Sequence, residues 1–248
     1  MGEDPPDQAD DGAAAGAPDP TVQARRRLAD EVAAEMRETA RYLGTAEIDP
    51  RVRAALETVP RHAFVPEAST TQAYANRPLP IGYGQTISQP YIVAAMSQLA
   101  HPGPGDRVLE IGTGCGYQAA MLAELAREVF TIETVPELAE TARTRLADLG
   151  YANVTVRAGD GSRGWPEQAP FDAILVTAAA PEETQQVLAQ QLAPGGRLVI
   201  PVERGGVRAH MGLGPHQELR LIEADETGAT RSRDVLPVAF VPLISGGG

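Results

Sequence analysis

The sequence predicts an α/β fold, a doubly wound, mostly parallel seven-stranded sheet that ends in a C-terminal antiparallel hairpin. Three observations carry this. Between residues 107 and 202, five short apolar runs alternate with helical stretches, the pattern of parallel strands joined by helices. The runs are apolar throughout instead of alternating with polar residues, which requires cover on both faces. The last two runs, 217–224 and 237–244, are separated by a turn at Glu226-Thr227-Gly228 and no helix, so they pair as a hairpin.

The elements follow in chain order. Residues 1–20 hold six acidic side chains, four Pro, three Gly and a single large apolar residue, Met1. Such a segment cannot bury enough surface to offset its ordering entropy, and a disordered acidic tail is expected. Residues 21–100 form an N-terminal helical and loop region, and 101–248 the α/β core, with 21–248 folding as one domain. In the first region Leu28, Val32, Met36, Ala40 and Leu43 make one helical stripe. Asp49-Pro50 reads as an N-cap followed by Pro in the first turn, and Val52, Leu56 and Val59 line that helix before Pro60 stops it. Residues 61–88 are expected to be an irregular loop, a length that in a compact domain is usually functional. Ser88 then fits the N-cap of a helix over 89–100. In the core the expected strands are 107–112, 128–133, 153–158, 171–177 and 197–202. Helices are expected near 117–126, 136–149 and 182–192, and Pro194-Gly195-Gly196 breaks the chain before the fifth strand.

Composition removes whole classes of chemistry. All 21 basic residues are Arg, so a P-loop lysine, a Schiff base and a lysine nucleophile are excluded. The net charge of -12 argues against nucleic acid as a partner. Cys115 is the one cysteine, which rules out an internal disulfide and a thiolate zinc cluster, and no metal site is expected. No run is long and apolar enough for a membrane helix, and the acidic N-terminus is no secretory signal. A cytoplasmic monomer is the expectation.

In an open α/β sheet the ligand sits beyond the carboxyl ends of the strands, where their order reverses. The first core strand ends there in Glu110-Ile111-Gly112-Thr113-Gly114-Cys115-Gly116. Three glycines spaced by two let the backbone turn tightly and come close to a ligand, and the following helix offers free N–H donors. The GxGxG spacing differs from the GxGxxG of dinucleotide folds. Glu133 closes the second strand, 17 residues after Gly116, where a carboxylate can accept from both hydroxyls of a ribose. Asp160, in Gly159-Asp160-Gly161, follows the third strand and can accept from an adenine amine, although a plain Asp-Gly turn would look the same.

These residues fit a nucleoside-type ligand, and the surrounding segments narrow the family. PRHAFVP (60–66), RPLPIGYGQTISQP (77–90), VLEIGTGCGYQAA (108–120), GDGSRGWPE (159–167), FDAILVTAAAP (171–181), PGGRLVIPV (194–202) and FVPLI (240–244) resemble the protein-L-isoaspartate O-methyltransferases. The resemblance runs from about Asp49 to Ile244. It implies a class I, Rossmann-like methyltransferase fold and S-adenosylmethionine as cofactor, leaving S-adenosylhomocysteine. Its implied cofactor-binding residues are Glu110, Gly112, Thr113, Gly114, Gly116, Glu133, Asp160, Gly161 and Thr177. The implied partners are proteins and peptides carrying isoaspartyl residues, whose α-carboxylate is methylated so that the ester closes to a succinimide and hydrolyses partly to Asp. The loop serine of the TIS segment is the family's active-site residue, here Ser88, with Thr86 and Ile87 beside it as substrate contacts. Residues 203–216 are longer and richer in Gly than the turn such a family implies.

The chemistry suits so sparse a site. An α-carboxyl group has a pKa of roughly 3.5 and is already ionised at neutral pH, so no general base is required. Carboxylate attack on a sulfonium methyl partly cancels two opposite charges, which a dry site favours. The protein's tasks are alignment and exclusion of water. The alternatives are a carboxyl methyltransferase for an aspartate of one dedicated peptide, a cofactor-binding module without activity, and a nicotinamide dehydrogenase, which the glycine spacing disfavours.

Overall fold

Strands that are apolar on both faces have to be covered on both faces, and helices above and below one sheet do this. The computed structural model describes residues 21–204 and 216–244. The tail 1–20 and nearly all of the Gly-rich stretch 203–216 lie outside the described residues.

The N-terminal stripe forms helix α1 (Val22–Glu38), which buries Leu28, Val32 and Met36. It does not run on through residue 43 as one helix. Thr39 turns its hydroxyl back onto the Glu35 carbonyl at 2.7 Å and separates α1 from the single turn α2 (Ala40–Leu43), as a side chain competing for backbone partners tends to do. Helix α3 (Pro50–Thr58) starts as expected, with the Asp49 carboxylate accepting from the Arg51 N–H and Pro50 in the first turn. The segment expected to be irregular instead carries two 3₁₀ turns, Arg61–Phe64 and Glu67–Gln72, and a hairpin of β1 (Leu79–Gly82) and β2 (Gln85–Ile87). Its two-residue turn has Tyr83 at φ 53 and Gly84 at φ 70, the doubly left-handed geometry that suits strand twist.

Helix α4 (Pro90–Ala100) is capped at Gln89, without a side-chain cap bond. This corrects the N-cap reading of Ser88: Pro90 occupies the first helical position, so Ser88 lies one residue outside the cap. The core follows as β3 (Arg107–Ile111), α5 (Tyr117–Ala123), β4 (Glu128–Glu133), α6 (Pro136–Asp148), β5 (Val154–Ala158), β6 (Phe171–Val176), α7 (Glu182–Ala189), β7 (Leu192–Arg204), β8 (His216–Ala224) and β9 (Thr230–Val238). The sheet order is β5-β4-β3-β6-β7-β8-β9, with β3 to β7 parallel and β8 and β9 antiparallel.

Helices α5 and α7 end three residues earlier than expected, and two strands differ most from the sequence reading. The strand β7 begins at Leu192, five residues early, and takes Pro194-Gly195-Gly196 as an irregularity within its pairing. The second hairpin strand is 230–238, not 237–244. Its polar start, Thr230 to Asp234, is exposed because β9 is an edge strand, and charged side chains blunt such an edge. Residues 239–244 leave the sheet and bind Ala179 through Ala179 N–H to Val241 O (2.8 Å) and Leu243 N–H to Ala179 O (2.7 Å).

Alternate strand residues feed two cores. Val108, Val129, Leu175 and Val199 pack with α1, α3, α4 and α5 on one face. Leu109, Ile132, Ile174 and Leu198 pack with α7 on the other. The chain therefore winds left from β3 to β4 and right from β6 to β7, and the order reverses between β3 and β6.

Candidate active site

The carboxyl ends of β3, β4 and β6 open into a cleft, the place where an open α/β sheet receives a ligand. Its floor is the glycine bend. Gly112 has φ 96, and a Cβ there would lie 2.4 Å from Thr177 Oγ1. That hydroxyl donates to the Gly112 carbonyl at 2.6 Å, so Thr177 at the end of β6 pins the bend. Gly116, at φ 92, leaves room for Leu146 of α6.

The Glu133 carboxylate is 7% exposed and lines the cleft. One oxygen accepts from the Gly114 N–H at 2.7 Å, the other from the Val135 N–H at 2.9 Å. Each oxygen keeps a lone pair for a further donor. Gly114 therefore stays left-handed at φ 54 with its N–H turned to the acid.

Of the residues singled out from sequence, Thr86, Ile87, Ser88, Gly112, Thr113, Gly114, Glu133 and Thr177 come together around this cleft. Gly116, Asp160, Gly161 and Glu110 do not line it. Asp160 caps its own turn by accepting from the Ser162 N–H at 2.8 Å. Gly161 is a packing glycine, because a Cβ there would meet Ile111 Cγ2 at 2.6 Å. Cys115 lines the cleft, and burial pushes its thiol pKa up, which keeps it protonated and unreactive. His62 bonds the Tyr74 hydroxyl at 2.6 Å, and Trp165 packs on Phe130.

Glu110 lies behind the cleft wall, fully buried. Its Oε2 accepts from Thr131 Oγ1 at 2.6 Å, and Thr131 meets Thr113 Oγ1 at 2.6 Å. The Glu110 Oε1 has no hydrogen-bond partner among the described residues. Burial, with the nearby Glu133 charge adding to it against the Thr131 bond, pushes its pKa up to about 8. The unfolded carboxyl ionises near its ordinary value of 4.5, so between that pH and about 8 the folded state holds a proton the unfolded state has lost. Stability then falls as pH rises through this window. Glu110→Gln, neutral throughout, is expected to remove that slope. In thermal denaturation its advantage over the parent should grow from pH 5 to pH 8, and parallel curves would contradict the assignment.

A second cleft runs from Pro78 past Ile92 to Pro237–Val241. The two clefts share Thr86, Ser88, Thr177 and Val241. The Ser88 hydroxyl has no hydrogen-bond partner among the described residues, while its carbonyl accepts from Arg61 Nη2 at 2.9 Å. The segment 240–244, expected from sequence to line a peptide groove as a closing strand, contributes to both clefts, although it lies outside the sheet.

The protein-L-isoaspartate(D-aspartate) O-methyltransferase family model matches residues 34–248. Protein-L-isoaspartate O-methyltransferase 2 of Syntrophobacter fumaroxidans is 53% identical over 237 residues, covering 95% of this chain and 92% of its own. The Picosynechococcus protein-L-isoaspartate O-methyltransferase is 52% identical over 225 residues, covering 91% and 92%. A solved protein-L-isoaspartate O-methyltransferase superposes with TM-score 0.72 at 25% identity, over 88% of this chain and 66% of that one. A putative Plasmodium falciparum counterpart, solved with S-adenosyl-L-homocysteine, gives 0.70 at 23% identity, over 90% and 99%, and shares the fold.

Proposed function

The chain belongs to the protein-L-isoaspartate(D-aspartate) O-methyltransferase family, and from that membership we infer how its two clefts divide the reaction. It repairs isoaspartyl proteins by methylating them with S-adenosylmethionine. In our reading the first cleft takes the cofactor and the second takes the isoaspartyl peptide. The observation that carries this is their meeting at Thr86, Ser88, Thr177 and Val241.

The cleft suits the cofactor chemically. The left-handed glycines 112 and 114 bring the backbone of the bend to the cleft surface, and Glu133 has the acceptors two vicinal hydroxyls need. When bound, S-adenosylmethionine supplies a methyl group on a cationic sulfur, reactive toward a carboxylate without a base. Glu133 would hold the ribose, Gly112 to Gly114 would face the amino-acid end, and Thr177 would keep the bend in place. Glu110 would act from behind, through Thr131 and Thr113. Asp160, in the turn that Gly159 N–H ties to the Glu133 carbonyl at 2.8 Å, would close the adenine end from beyond the present cleft lining, with Gly161 packed behind it on Ile111.

Ser88 has the donor for one oxygen of the substrate α-carboxylate, leaving the other oxygen to face the methyl group. Thr86 and Ile87 would hold the adjoining peptide. The apolar lining from Ile87, Val241 and Leu243 excludes water, which strengthens attraction between the reacting charges. The product ester then closes to the succinimide without help from the protein.

Among the described residues no helix is long and apolar enough to cross a membrane. A cytoplasmic monomer that does not act on nucleic acid completes the reading, the last supported by the net charge of -12. The runner-up, a carboxyl methyltransferase dedicated to one peptide, is not favoured by relatives that match nearly the whole chain at half identity.

An isoaspartyl peptide and its aspartyl twin, each offered with labelled S-adenosylmethionine, test the assignment. Label should enter the isoaspartyl form as a base-labile ester and leave the twin unlabelled. Methylation of the aspartyl form alone would overturn it.

A further inference from the structure

We propose that Arg61 is a positioning residue of the methyl-transfer site, a buried cation that fixes Ser88 and makes the second cleft select an anionic carboxylate. The proposal rests on the reading of the two clefts given above.

Arg61 opens the first 3₁₀ turn and is 0% exposed. Arginine stays charged in proteins, and burying a charge without a counter-ion is costly. Yet among the described residues Arg61 pairs with no carboxylate. Its partners are carbonyl oxygens: Nε donates to Ala73 at 2.9 Å, and Nη2 donates to Arg77 at 3.3 Å and to Ser88 at 2.9 Å. Its Nη1 is buried with no partner. The guanidinium carbon lies 4.7 Å from the centre of the Tyr117 ring.

Two of these neighbours, Ser88 and Tyr117, line the cofactor cleft, and Ser88 lines the second cleft too. The cation therefore sits directly behind the wall where the substrate's carboxylate would be received. The guanidinium is itself sealed from solvent, so its charge is screened less than a surface arginine's and its field reaches the anion. Carbonyl dipoles hold the guanidinium in place but leave its net charge intact.

The sign of the effect is fixed by the reaction. The carboxylate loses charge as it becomes an ester, so a cation behind it favours the bound anion more than the transition state. Removing the charge should raise KM and leave kcat unchanged or slightly higher. A clamp that only tied three loop carbonyls together would show no preference for a charged ligand.

The test uses two peptides, one isoaspartyl and one with the same α-carboxyl converted to the carboxamide. Their affinities are measured on protein loaded with S-adenosylhomocysteine. The parent protein should bind the carboxylate at least tenfold more tightly. Arg61→Lys, which keeps the charge but not the fork, should retain most of that ratio. Arg61→Met and Arg61→Gln should bring it close to one, with the loss in kcat/KM appearing in KM. A parent ratio near one overturns the proposal, as does a neutral variant that keeps the parent ratio. Should neither neutral variant bind S-adenosylhomocysteine, Arg61→Lys decides: a ratio near one in that variant overturns it and a retained ratio supports it. Absence of methyl transfer to any isoaspartyl peptide by the parent would overturn the functional reading as well. Transfer with unchanged discrimination overturns the role of Arg61 alone.

Discussion

Glu133→Ala is expected to weaken S-adenosylmethionine binding about a hundredfold. A hydrogen bond to a charged acceptor contributes about 1.5–3 kcal/mol, and the carboxylate is placed to accept from two ribose hydroxyls. It also holds the N–H groups of Gly114 and Val135, so its removal loosens the bend as well as the ribose contact. Glu133→Gln should not restore the site. Its amide nitrogen would face one of those N–H groups as donor to donor, leaving both unsatisfied. Calorimetry with S-adenosylhomocysteine reads the effect, and the melting temperature shows whether the fold survives. An unchanged dissociation constant would remove Glu133 from the ribose site.

Ser88→Ala should lower kcat by about 10- to 100-fold while leaving cofactor affinity within about threefold. The loss corresponds to one positioning hydrogen bond of about 1–3 kcal/mol in the transition state. The sequence also allowed Ser88 to be a helix cap, a role in which alanine costs about 1 kcal/mol of stability. The structure gives the cap to Gln89 and leaves the Ser88 hydroxyl without a partner among the described residues. The variant should therefore melt close to the parent. A matching drop in stability, or unaltered turnover, would return Ser88 to a structural part.

Local patterns made most of this legible. The five parallel strands show as apolar runs because each is buried on both faces, and the glycine bend and Glu133 show because they sit at strand ends. Glu110 could have been placed better from the same pattern. It lies between Leu109 and Ile111 on a strand buried on both sides, so its side chain had to point into a core, not a ligand. What the sequence hid was long-range or marginal. β9 starts with Thr-Arg-Ser-Arg-Asp, exposed without alternation, so no apolar pattern marks it, and its charges blunt the edge. The hairpin of β1 and β2 is too short for periodicity to register. Arg61 looks like any surface arginine until the fold brings Ala73, Arg77 and Ser88 to its guanidinium.

The meeting of the two clefts at Ser88 is the claim on which the account turns, and a crystal structure with S-adenosylhomocysteine and an isoaspartyl peptide tests it most directly. The account predicts the sulfur between the glycine bend and Ser88, the ribose on Glu133, and the α-carboxylate reaching the Ser88 hydroxyl from the cleft beside Pro237–Val241. A sulfur walled off from Ser88, or a peptide seated away from that cleft, would contradict it.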